Sequence, residues 1–229
     1  MNIRDFTPQQ LLGPLNDVEK KNAPSRLYVM GDLALLSQGP RVSIVGTRKP
    51  SKGGVLAARR LARGLAGRGV IVVSGLAEGI DTAAHTEALD AGGRTIAVIG
   101  TPLDKAYPAK NRGLQTRIAD EHLLVSQFRI GTPSQPRNFP MRNRTMALLS
   151  DATIIVEAGE KSGTLHQGWE ALRLGRPLFL MESAARDRSL KWPGEFTRYG
   201  ALTLTTETIA LLFEFLPERS GAEAAIPSF

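Results

Sequence analysis

Four stretches of the chain carry residue types able to hold an anion, and none carries a nucleophile paired with a base. The first is Gly46-Thr47-Arg48, directly after the apolar run Val42 to Val45. A glycine at a strand end lets the backbone approach a ligand, threonine offers a hydroxyl, and arginine offers a planar fork that matches phosphate oxygens. The bland alternative is a tight turn with a solvated Arg48. The next glycines are Gly53 and Gly54, so the triplet does not open a G-x-G-x-x-G dinucleotide fingerprint, and it lacks the GK[ST] of a P-loop. No NAD, ATP or other cofactor is expected.

The second stretch is Ser74-Gly75 followed by Gly79-Ile80-Asp81, where small residues and backbone amides at a helix N-terminus make an anion site. Asp81 is read mainly as a helix-dipole and capping residue. His85 follows one turn on. The three histidines, His85, His122 and His166, include no pair at i, i+4 spacing, so no metal site is expected and His85 reads as packed or hydrogen-bonded near the site.

The third stretch is the most informative. In GTPSQPRNFPMRNRTMALL, Arg137, Arg142 and Arg144 crowd the start of a helix expected from Pro140 to Leu149, where the macrodipole disfavours cations. An anionic partner would compensate. Phe139, beside Asn138 and near Asn143, adds an aromatic platform to a cationic one, the combination that stacks bases and holds a sugar-phosphate chain; the alternative is a hydrophobic plug for the loop. In the fourth stretch, Ser162, Gly163 and Thr164 can present hydroxyls and amides to an anion, or merely cap a helix. Glu157 reads as an orienting partner for an arginine, since no nucleophile accompanies it.

Each stretch follows an apolar strand and opens a helix. VSIV, VIVV, TIAVI and TIIV are apolar throughout, as strands covered on both faces must be, and helical spacings alternate with them. The expected fold is α/β: a doubly wound, mostly parallel, Rossmann-like sheet with helices on both faces, whose ligands sit at the strand ends. Residues 1–40 are expected to be a lead-in with a short helix around Gln9 to Leu15 and a strand and turn within Arg26 to Leu36. Residues 41–182 form the core. Residues 183–229 complete it, with a helix from Thr206 to Leu216 docking through Ile209, Leu212, Phe213 and Leu216, and a frayed end.

A length of 229 residues suits one domain with a sizeable core. No apolar stretch approaches the roughly 20 residues that span a bilayer and the start lacks a signal-peptide core, so no membrane association is expected. The absence of cysteine removes disulfides, thiolate nucleophiles and Cys-based zinc sites, which fits a cytoplasmic protein. A formal charge of +7 favours a polyanionic partner.

RLYVMGDLALL, VSIVGTR, VVSGLAEGIDTAAH, TIAVIGTPLDKAYPAKNRGL and NFPMRNRTMALLSDATIIVEAGEKSGT together resemble the DNA-processing protein A (DprA/Smf) family, from about Arg26 to Pro177. The resemblance implies an extended Rossmann-like fold that binds single-stranded DNA and loads a RecA-type recombinase during natural transformation, without catalysis. It places the DNA pocket at Arg48, at Ser74, Gly75 and Gly79, and at Phe139, Arg142, Asn143 and Arg144. Many relatives carry a helical domain before this core and a winged helix after it, and neither has a counterpart here. Glu78 stands in a slot often basic in relatives, and the sequence after Leu178 departs from the family pattern where dimerisation and recombinase contacts lie. The competing readings are a sensor of a free nucleotide and a LOG-type nucleotide phosphoribohydrolase, which the sheet topology also resembles. Gln167 stands where that enzyme's glutamate would be, and an amide cannot act as a general base.

Overall fold

The computed structural model describes residues 3–218. Among these, nine strands form one sheet: β1 (Arg4–Phe6), β2 (Leu27–Gly31), β3 (Arg41–Val45), β4 (Ile71–Ser74), β5 (Thr95–Ile99), β6 (Leu123–Ser126), β7 (Ala152–Ile155), β8 (Leu178–Met181) and β9 (Leu202–Leu204). The helices are α1 (Pro8–Leu12), α2 (Asp17–Asn22), α3 (Lys52–Ala66), α4 (Ile80–Asp90), α5 (Arg112–Glu121), α6 (Asn138–Leu148), α7 (Thr164–Arg173), α8 (Glu182–Ala185), α9 (Trp192–Arg198) and α10 (Ile209–Glu214).

The sheet order is β1-β2-β6-β5-β4-β3-β7-β8-β9. β2 pairs antiparallel with β1 and β6, and every other neighbouring pair is parallel. From β3 the chain winds outward through β4, β5 and β6, then returns to place β7 on the other side of β3. The connections leaving β3 and β7 therefore diverge, and the crevice at such a reversal is where doubly wound sheets hold ligands.

Successive residues of a strand face opposite sides, and both sides are buried here. Val42, Ile44 and Val72 pack against Ala58, Leu61 and Leu65 of α3 and Ala84 and Ala88 of α4. Val45, Ile71, Val73 and Ile96 face the opposite layer with Met146 of α6 and Phe196 of α9. This double cover is why the strand sequences are apolar without alternation.

Two expectations need correction. The lead-in contains β1, which extends the sheet at its edge; three half-exposed residues are too short to show a strand period. The short helix read around Gln9 to Leu15 is α1, which ends at Leu12, and a second helix not expected there, α2, follows; each has a capping box, at Thr7/Gln10 and at Asn16/Glu19. In addition, α6 opens at Asn138, two residues before Pro140. Proline in a first turn removes only an N–H that has no helical partner. At the other end α10 docks through fully buried Leu212, with Ile209, Phe213 and Leu216 partly buried on the same cluster. The frayed end, residues 221–229, lies outside the described residues.

Candidate nucleic-acid interface

At the reversal between β3 and β7 a cavity of about 570 Å3 opens. Gly46, Thr47, Arg48 and Lys49 from the turn after β3 form one wall; Phe139, Arg142 and Asn143 of α6 form another; Lys161, Ser162, Gly163 and Thr164 from the turn before α7 close it. Gly46 is required by close approach, since a Cβ there would lie 2.5 Å from the Ile80 side chain and 3.0 Å from the Glu157 carbonyl. The Thr47 amide donates to that carbonyl at 2.7 Å, which ties the two turns together across the switch point. Asn143 Nδ2 donates to the Gly163 carbonyl at 3.0 Å and anchors the third wall to α6.

Arg48 and Lys49 are exposed, as is Lys161 across the cavity. The guanidinium of Arg48 stands over the Phe139 ring at 5.3 Å, and that ring leans on Tyr107 at a centroid distance of 5.3 Å and a tilt of 46°. Phe139 rests on Gly100, where an added Cβ would lie 2.8 Å from the ring. Cation and rings are thus held together before any ligand arrives, which lowers the ordering cost of binding.

Beneath this surface lies a buried polar layer that sequence reading assigned differently. Asp81 does not cap its own helix: its carboxylate accepts from the amides of Gly75 at 3.1 Å and Ala77 at 3.4 Å. Two amides of the Ser74-to-Asp81 turn, Gly75 and Ala77, expected to receive an external anion, are instead taken by the Asp81 carboxyl. Burial pushes the Asp81 carboxyl up from its ordinary value, opposed by nearby Arg142 and by those amides. Arg142 is 5% exposed, donates from Nη1 to the Val98 carbonyl at 2.9 Å, and lies so close beneath Gly75 that an added Cβ there would overlap its guanidinium. It lines the cavity as a fixed positive wall rather than as a mobile phosphate fork. His85 is fully buried, its Nδ1 2.7 Å from Thr95 Oγ1, and burial lowers its pKa to about 3. It is the packed histidine the sequence suggests.

Several expected site residues lie outside the cavity. Arg144 points away and pairs with Glu170, Nε to Oε1, at 3.4 Å. It sits on the face of α6 that packs on α7, because residues two apart on a helix point about 200° apart. Glu157 orients no arginine; it accepts from the Ser51 amide at 3.0 Å and from Ser51 Oγ at 2.7 Å, and so fixes the start of α3. Ser74 is buried and donates to the Ile44 carbonyl at 2.7 Å. Ile80 is fully buried core, Gly79 carries the left-handed φ of 78° that lets the chain enter α4, and Asn138 is buried. Arg137 is exposed at the mouth of α6 without lining the cavity. Ser162 lines the cavity and its Oγ accepts from the Thr164 amide at 3.2 Å, while the N-cap position of α7 is Gly163.

The structure adds residues that the sequence reading passed over. Lys49 and Lys161 supply two of the exposed cations; Lys49 adjoins a quoted motif and Lys161 lies within one, and their charge is the signal that would have found them. Tyr107 pairs with Phe139 across 32 positions of sequence, and no local pattern marks that contact. Gln167 is fully buried in the cavity wall, with Nε2 3.4 Å from Thr153 Oγ1. No group of acidic, histidine or cysteine residues among the described residues is arranged to hold a metal ion. No helix among them is long and apolar enough to cross a membrane.

Residues 8–213 match the family described as DNA recombination-mediator protein A. The chain is 38% identical over 198 residues to the DNA processing protein DprA of Bacillus subtilis, covering 86% of this chain and 66% of that one. It is 39% identical over 195 residues to the DprA of Streptococcus pneumoniae, covering 85% and 68%. The chain therefore spans about two thirds of the length of these relatives. The solved structure of DNA processing protein A from Helicobacter pylori, described for its single-stranded DNA binding mode, superposes with a TM-score of 0.78 at 29% identity, over 94% of this chain and 97% of that one. The molybdenum cofactor carrier protein of Chlamydomonas reinhardtii, at 19% identity and a TM-score of 0.54 over 77% of this chain and 98% of that one, shares the fold alone. With the family match running from α1 into α10 and two relatives close to 40% identical, this chain belongs to the DprA/Smf family of DNA processing proteins.

Proposed function

We propose that the cavity at the β3–β7 reversal binds single-stranded DNA. The observation that carries this reading is the convergence of Arg48, Lys49 and Lys161 on a cavity that also presents the Phe139 ring. Cations that track a backbone beside a ring that stacks on bases are how sequence-tolerant single-strand binders work. The one carboxylate in the cavity lining, Asp81, faces the buried Arg142 guanidinium, which offsets it and leaves the exposed cations to set the charge of the cavity. The H. pylori relative supports the same ligand. Processing of incoming single strands and delivery of them to a RecA-type recombinase is the accompanying proposal, as is a homodimer. The family's description as a recombination mediator supports the first.

A strand is favoured over a duplex because a base must be splayed out of its pair to reach Phe139. Nucleotide hydrolysis is not expected, since Gln167 offers an amide where a general base would be needed. Fluorescence anisotropy with a single strand, the matching duplex and nucleoside monophosphates tests the proposal. The single strand should bind tightest, and incubation with monophosphates should release no free base. Equal affinity for duplex, or tight binding confined to a mononucleotide, would replace the strand reading with the duplex-binding or sensor alternative.

A further inference from the structure

On the far side of Phe139 a second, smaller void of about 160 Å3 opens. Tyr107 and Glu78 line it and do not line the larger cavity, whereas Arg48, Ala77, Phe139 and Arg142 line both and form the partition between them. The Phe139 ring, packed on Gly100 and flanked by Tyr107 and Arg48, lines both voids, and Tyr107 beside it is 49% exposed and carries a second open aromatic surface.

The two voids differ in charge. Lys49 and Lys161 belong to the larger one alone, while the smaller one adds the Glu78 carboxylate, paired with Lys110 at 3.0 Å. Arg48 and Arg142 line both voids, so the contrast is local: Lys49 and Lys161 make the larger void the better side for phosphate, Glu78 makes its side the poorer one, and an uncharged base is repelled by neither. A strand crossing the Phe139 partition therefore places phosphate on the lysine side and a base on the Glu78 side. A carboxylate only accepts hydrogen bonds. Guanine offers it adjacent N1–H and N2–H donors, and cytosine and adenine each offer an exocyclic amine. Thymine offers one N–H flanked by two carbonyl oxygens that a carboxylate repels. The Glu78–Lys110 pair is solvent-exposed and weakly held, so the carboxylate is able to turn toward a base.

We infer that the void between Tyr107 and Glu78 is a base subsite, in which the tyrosine ring stacks and the carboxylate selects amino-bearing bases over thymine. The inference rests on the strand-binding reading. Anisotropy titrations should compare an oligo(dT) strand with strands of equal length in which alternate positions are dC or dG. The substituted strands should bind about fivefold tighter or more. Glu78→Gln, whose amide both donates and accepts, should erase that preference without loss of oligo(dT) binding. Tyr107→Ala should weaken every strand by about fivefold or more, and Tyr107→Phe should restore it. Equal affinity of the wild type for all three strands, a preference that survives Glu78→Gln, or full affinity in Tyr107→Ala would overturn the subsite while leaving strand binding intact. Failure of every strand to bind would remove both readings together.

Discussion

Arg142 and Arg144 lie two positions apart on α6, and the fold gives them different work. Arg142 is locked under Gly75 with Asp81 nearby, whereas Arg144 bonds Glu170 on the α7 side. Burial lowers the Arg142 pKa and Asp81 opposes that shift, so each charge depends on the other. Asp81→Asn should cost about 1–3 kcal/mol, because a buried guanidinium loses its facing charge; urea midpoints would measure it, and an unchanged midpoint would refute the coupling. His85 gives a pH signature. Its folded pKa of about 3 lies below the ordinary 6.5, so between those values the unfolded chain binds the extra proton. Its contribution to stability is therefore intact above about pH 6.5 and is lost at about 1.4 kcal/mol per unit as pH falls toward 3. In His85→Gln that part of the slope should vanish between about pH 6.5 and 5, read from denaturant midpoints. Residue types at motif positions were legible in the sequence. Side-chain direction was not, because it depends on which face of α6 meets α7 and which meets β5.

Among the elements, the strand-and-helix alternation from β3 to β8 was legible because buried parallel strands are apolar and helices repeat at a different period. β1 was not, having three residues and an edge position. α10 was placed by its spacing of Ile209, Leu212, Phe213 and Leu216, and its fully buried Leu212 closes the cluster shared with α3 and α4. Leu212→Ala should therefore lower stability by about 2–5 kcal/mol. A loss below about 0.5 kcal/mol, seen in the same denaturation assay, would show that α10 does not seal that core. Because no residue of α10 lines the cavity, strand affinity in this variant should be unchanged at temperatures where it is folded.

For the whole molecule, the decisive feature is sheet order. Arg48 and Lys161 are 113 positions apart in sequence, and they share a cavity because the chain reverses between β3 and β7. The turns were readable as anion sites one at a time; their convergence required the order of strands, which no local pattern encodes. On this reading these exposed cations, and not Arg144, neutralise the backbone of a single strand. The most direct measurement is the slope of log affinity against log salt for one oligonucleotide. For single strands each neutralised phosphate contributes about 0.7 to that slope. Removing both cations in Arg48→Ala, Lys161→Ala should weaken binding and flatten the slope by about 0.7 for each cation lost, while Arg144→Ala leaves the slope as in the wild type. A double variant with wild-type affinity and slope, or a slope that flattens only in Arg144→Ala, would contradict the account.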